Sequence, residues 1–116
     1  MSIKQGLSSV GLVLGGLAGF QGTALAQTQV NPATIVRIHT GWGSDQFRIE
    51  TSAGRPVVNP AGCSTPDGYI SHISQPGFQT HYRLVLEAYA RNKPVYVTVS
   101  NTACWNDRPV ILGLAF

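Results

Sequence analysis

Few residues of this 116-residue chain are of types that do chemistry. Its histidines are His39, His72 and His81. None has metal-ligand spacing with another histidine or an acid, as H-E-x-x-H does, so no metal site is expected. Asp45, Glu50, Asp67, Glu87 and Asp107 show no pairing that marks a glycosidase by sequence. Ser64, Ser71, Ser74 and Ser100 occur without a nucleophile-elbow motif. A Ser-His-Asp set assembles in space rather than in sequence, yet nothing local signals one. The expectation is a protein that is not an enzyme and takes no cofactor.

Binding chemistry has better candidates. Trp42 stands between Gly41 and Gly43 with Ser44 and Asp45 following. A tryptophan so placed has little local core to join, and an exposed indole stacks on sugar faces while Ser44 and Asp45 pair with hydroxyls. Trp105, Asn106 and Asp107 form a second such cluster. The competing reading packs Trp105 against a disulfide or plugs a barrel end with either tryptophan. Tyr82 and Tyr89 fit a helical core stripe better than a ligand site.

The two cysteines, Cys63 and Cys104, are 41 positions apart. An even, minimal count in an oxidising compartment favours a structural disulfide over a metal pair or a cysteine nucleophile. The compartment is read from the start of the chain. Lys4, an apolar stretch from Val10 to Phe20 and Ala24-Leu25-Ala26 have the layout of a bacterial secretory signal, with cleavage after Ala26. The rival, an uncleaved anchor, is disfavoured by six glycines between Gly6 and Gly22 and by an apolar core of eleven residues. Cleavage leaves residues 27–116 as a single domain without a membrane span, in the periplasm or secreted.

Past Ala26 the chain holds seven Lys and Arg against five Asp and Glu. Arg37, Arg48, Arg55, Arg83, Arg91, Lys93 and Arg108 are scattered along it, whereas phosphate tracking needs a stripe or patch, so no nucleic-acid partner is expected.

These residues must be positioned by a few elements. Gln27 to Ala33 reads as a loose polar lead-in. Ile35 to Thr40 and Phe47 to Thr51 read as a hairpin around residues 41–45. One register places Val36 opposite Thr51, Ile38 opposite Ile49 and Thr40 opposite Phe47 on an apolar face. Arg37 then faces Glu50, and His39 faces Arg48, on the other side. Residues 52–68 read as an irregular connection carrying Cys63, and Tyr69 to Ser74 as a short third strand. Thr80 to Arg91 reads as a helix with Tyr82, Val85, Leu86 and Tyr89 on one face, ended by Asn92 and Pro94. Val95 to Ser100 alternates as a strand, Asn101 to Pro109 reads as a turn region, and Val110 to Phe116 closes the chain as a strand. The fold expected is mainly β: a five-stranded antiparallel OB-like barrel with one helix between its third and fourth strands. An open antiparallel sheet with the helix on one face is the runner-up.

Cys63, the run from Tyr82 to Val97, Cys104 and Arg108-Pro109-Val110-Ile111 together resemble the B subunits of subtilase-cytotoxin and pertussis-like bacterial toxins. The resemblance covers mainly the second half of the chain. It implies an OB-type barrel, a homopentamer and a surface that binds host glycans; no site residue follows from it. The function expected is a secreted carbohydrate-binding module. The alternative is a monomeric envelope-associated structural or inhibitory protein that binds a protein partner.

Overall fold

Residues 26–116 are described by the computed structural model. They form β1 (Gln27–Gln29), β2 (Ala33–Thr40), β3 (Gln46–Thr51), β4 (Tyr69–His72), α1 (Phe78–Ala90), β5 (Pro94–Trp105) and β6 (Arg108–Ala115). The expected secretory signal lies outside the described residues except for Ala26, whose carbonyl accepts from the Asn101 amide. The strand order is β1-β5-β2-β3-β4-β6, and β6 pairs again with β5, so the sheet closes in a ring. Every pairing is antiparallel except the one between β4 and β6.

The mainly β expectation with a single helix holds, but the strand count is six, not five. The additional strand comes from the supposed loose lead-in. Gln27, Thr28 and Gln29 pair with Ser100, Val99 and Thr98, and the Val30 amide donates to the Val97 carbonyl. Backbone pairing is indifferent to side-chain polarity, so composition hid it. β1 and β2 thus share one edge of β5, interrupted at Asn31 and Pro32, because β2 in turn meets Pro94 and Val95.

The β2–β3 hairpin keeps the expected pairs Arg37–Glu50, Ile38–Ile49, His39–Arg48 and Thr40–Phe47. Its last pair differs: Ile35 faces Thr51, and the ladder is irregular between Ile35 and Arg37. An extra residue of this kind bends a strand and increases its twist. Val36 is thereby turned out to solvent while Ile35 enters the core, and β2 bends away from β3 towards β5.

A second correction concerns residues 101–109. They read as a turn region, but β5 continues through Trp105 and β6 begins at Arg108. Only Asn106 and Asp107 turn, with φ of 46° and 65°. Two consecutive left-handed residues are what a tight hairpin between twisted strands needs, and Asn and Asp tolerate that conformation better than most side chains.

The helix begins two residues earlier than expected and ends where Asn92 takes φ 52°. The Lys93 amide donates to the Ala88 carbonyl, closing the last turn in the manner of a left-handed helix stop. Its buried side chains are Phe78, Val85 and Ala88, with Tyr82 packed against the core. Leu86 and Tyr89, expected on the buried face, are 43% and 47% exposed. The rotation follows from Phe78, outside the expected helix: Phe47 lies 5.7 Å from Phe78 and 5.3 Å from Tyr82 between ring centroids, which fixes which side of the helix meets the sheet. Phe47, Ile49, Ile70, Val85, Val95, Val97, Val99 and Ile111 fill the interior.

Cys63 and Cys104 form the expected disulfide, tying the irregular segment before β4 to the end of β5. Replacing both with alanine should lower the free energy of unfolding by roughly 2–4 kcal/mol through release of the closed loop. Chemical denaturation of oxidised wild type against the double variant measures this; coincident curves would refute a stabilising bond.

Candidate functional site

The loop between β2 and β3 is built from three successive left-handed residues: Gly41 (φ 111°), Trp42 (64°) and Gly43 (82°). Gln46, buried at the start of β3, holds the loop from below. Its Nε2 donates to the Gly41 carbonyl at 3.0 Å, and its Oε1 accepts from the Trp105 indole at 2.9 Å. A groove of about 420 Å³ opens between this loop and the first turns of α1. Thr40, Ser44 and Asp45 form one wall and Phe78, Gln79 and Tyr82 the other. The Phe78 and Tyr82 rings are parallel within 1° at 6.3 Å. An aromatic lining with a few polar groups at its rim suits a small organic ligand that is polar at its edges and apolar on its faces.

The six candidate residues fall in three places. Ser44 and Asp45 border the groove. Trp42, 54% exposed, leaves it and covers the outer side of the sheet. Trp105 is half-buried, stacked on His72 at 4.2 Å and tied to Gln46. Asn106 and Asp107 make the β5–β6 turn, where their carbonyls accept from the Arg108 side chain and the Thr65 amide. Phe78, Gln79 and Tyr82 were missed as lining residues. Their signal in the sequence is Pro76-Gly77 just before them, which starts the helix earlier and aims its first turn at the hairpin loop.

His72 Nδ1 and Ser74 Oγ lie 2.7 Å apart, a distance at which a base activates a nucleophile. The Ser74 amide also donates to that nitrogen at 3.1 Å, so the pair belongs to the turn after β4. Among the described residues no carboxylate is hydrogen-bonded to the ring's other nitrogen, and no cluster of three or more His, Cys, Asp or Glu is placed to hold a metal ion. No helix among them is long and apolar enough to cross a membrane.

The outer side of β2 and β3 carries a denser arrangement. The expected Arg37–Glu50 pair is its weakest part, at 4.0 Å. Glu50 is held more closely by His39 at 2.7 Å, Arg55 at 2.9 Å and Arg48 at 3.5 Å. Arg48 also reaches Asp67 at 2.7 Å, and Arg108 grips the same carboxylate with Nε at 2.7 Å and Nη2 at 3.1 Å. Only 7% of the Arg48 side chain is exposed, and its Nε has no hydrogen-bond partner. Gly68 makes room for it: a Cβ there would lie 2.7 Å from Arg48 Cγ and 2.7 Å from the Ile49 carbonyl oxygen. The scattered arginines of the sequence are therefore partly a cluster in space.

These contacts set the acidities. Burial alone would raise the Glu50 carboxyl, but hydrogen bonds from Arg55 and His39 and the nearby guanidinium charges outweigh it and hold it below its ordinary value. Hydrogen bonds from Arg108, and then from Arg48, bring Asp67 down to about 2 against desolvation.

The chain matches no protein-family model, and no match emerges among curated proteins or among solved structures.

Because the folded carboxyl of Asp67 is more acidic than the ordinary 3.8, its stabilisation is complete above that value and is lost as pH falls towards about 2. Asp67→Asn should cost about 2 kcal/mol at neutral pH and little at the acid end of that window. Denaturation at a series of pH values checks this; a penalty independent of pH would place the loss elsewhere. Gly68→Ala should destabilise by roughly 1–3 kcal/mol, as overpacking does, and a calorimetric melt unchanged from wild type would show that Arg48 can yield.

Proposed function

We propose that this chain is a secreted, non-enzymatic binding module whose groove between the β2–β3 loop and α1 takes a small hydroxyl-rich ligand, a glycan. The observation that carries the reading is the groove itself. Ser44 and Asp45, the residues expected to pair with hydroxyls, face aromatic side chains across it. The Asp45 side chain has no protein partner among the described residues, which leaves its carboxylate free to accept from ligand hydroxyls. Sugars present polar edges and apolar faces, and this lining offers both complements.

The ring order β2-β3-β4-β6-β5, with α1 between β4 and β5, supports an OB-like reading, with β1 as an extension of the first strand. That reading is compatible with the resemblance to toxin B subunits. The disulfide supports an oxidising compartment, periplasmic or extracellular. The exposed Leu86, Tyr89, Tyr96, Leu112 and Phe116 favour association with further copies, a pentamer in this reading, or with a protein partner in the alternative one.

A glycan array on residues 27–116, followed by titration with the best glycan found, tests the groove. Asp45→Asn and Tyr82→Ala should each weaken binding at least about tenfold, whereas Trp42→Ala should leave that affinity unchanged. An array without any bound glycan would remove the reading, and loss of binding in the Trp42 variant alone would move the site to the outer face. Native mass spectrometry of the same chain should show a pentamer; a monomer retaining a defined envelope protein in a pull-down would favour the alternative.

A further inference from the structure

The outer face of β2 and β3 combines two features that the groove does not explain. The first is charge. Arg37, Arg48, Arg55 and Arg108 make ion pairs with Glu50 and Asp67, and Asp107 acts on Arg108 through space, which leaves an excess of one positive charge. The rest of the described chain has three cations, Arg83, Arg91 and Lys93, against Asp45 and Glu87. Arg37 and Arg55 meet Glu50 from exposed positions, with 62% and 56% of their side chains open to solvent, so most of their donors are unused.

The second feature is Trp42. A bulky residue with φ of 64° is held in a conformation that non-glycine residues avoid, yet the residue is 54% exposed and gains little burial in return. The left-handed run 41–43 turns the indole back over the sheet, where the Arg48 guanidinium lies 5.7 Å from its centroid and the His39 ring 6.3 Å. Buried Arg48, fixed by two carboxylates, thus props up an exposed aromatic surface. Arg37 precedes His39 by two positions on the same strand, on the same face, and both side chains approach Glu50 Oε2, Arg37 at 4.0 Å and His39 at 2.7 Å.

We propose that this face is a second binding site, separate from the groove, for a small organic anion: a flat ring lies against Trp42 while its carboxylate or sulfate is held by Arg37 and Arg55. A protein partner fits the face less well, since a protein interface centres on several apolar side chains and this one presents a single ring among charges. A nucleic acid would require a larger cationic excess than this cluster has, because its affinity comes from many phosphate contacts. Two sources share the required chemistry, an aromatic acid and an acidic sugar.

The test is an NMR titration of the chain with two probe pairs: 4-phenylbutyrate against 4-phenylbutanol, and cellobiouronate against cellobiose. The Trp42 indole and the Arg37 and Arg55 side-chain N–H signals should shift with at least one anion and not with its neutral counterpart. Which anion acts tells the aromatic source from the saccharide one. Arg37→Ala with Arg55→Ala should weaken that response at least about tenfold, and Trp42→Phe, which retains a ring, less than Trp42→Ala. Both arginines are exposed and Glu50 keeps its contacts with His39 and Arg48, so the fold should tolerate their loss, and an unchanged amide spectrum away from the face verifies it. Equal response to the neutral members, no response at Trp42 to any probe, or shifts confined to Ser44, Gln79 and Tyr82 would each overturn the proposal. The last would leave the groove reading intact.

Discussion

Ring closure along β5 is the constraint on which the other features depend. This strand pairs with β6 on one edge and with β1 and β2 in succession on the other. Its Val95, Val97 and Val99 all point inward, so the alternation that makes it a strand also supplies much of the core. With β5 in place, β6 can lie parallel to β4 at Ile70 and Val110, and the sheet closes in a ring. The disulfide at Cys104 anchors the far end of the same strand to residues that have no regular structure of their own.

Closure turns one side of β2 and β3 inward and leaves the other to be covered by side chains alone. Arg48 performs that covering on the outside. Its guanidinium is buried beneath Trp42 and between Glu50 and Asp67, and burial of a charge in this way is tolerable only because both carboxylates are ionised and close. The absence of a side chain at Gly68 is part of the same arrangement. The hairpin loop is then drawn two ways, with Trp42 over the arginine and Ser44 and Asp45 towards the helix. One five-residue loop accordingly contributes to two surfaces with different chemistry: a groove that is neutral apart from Asp45, and a cationic face.

Much of the architecture was legible locally. The hairpin register could be read because apolar side chains at Ile38, Ile49 and Phe47 and opposite charges at Arg37 and Glu50 select the same pairing. The helix stop at Asn92 and Pro94 was legible because those residues act through their own backbone preferences. The polar strand β1 was not, since its pairing with β5 leaves no mark on its side chains. Nor was the continuation of β5 through Asn101 to Trp105, where an irregular stretch of turn-forming residue types is followed by renewed pairing with β6 at Cys104 and Trp105. The candidate site was legible as a loop and not as a place: Trp42, Ser44 and Asp45 are neighbours in sequence that three left-handed residues send to opposite sides.

What the sequence determined by itself is the set of properties that depend on neighbouring residues: the alternation of the strands, the hairpin register, the end of the helix and the presence of two cysteines able to bond. The tertiary structure alone decided which face of the helix is buried, that dispersed arginines converge on two carboxylates, and that Tyr82 borders a groove while Trp42 does not. The physical reason is range. Propensity and periodicity act over a few residues, whereas burial, charge pairing and the shape of a groove arise between segments brought together only when the ring closes.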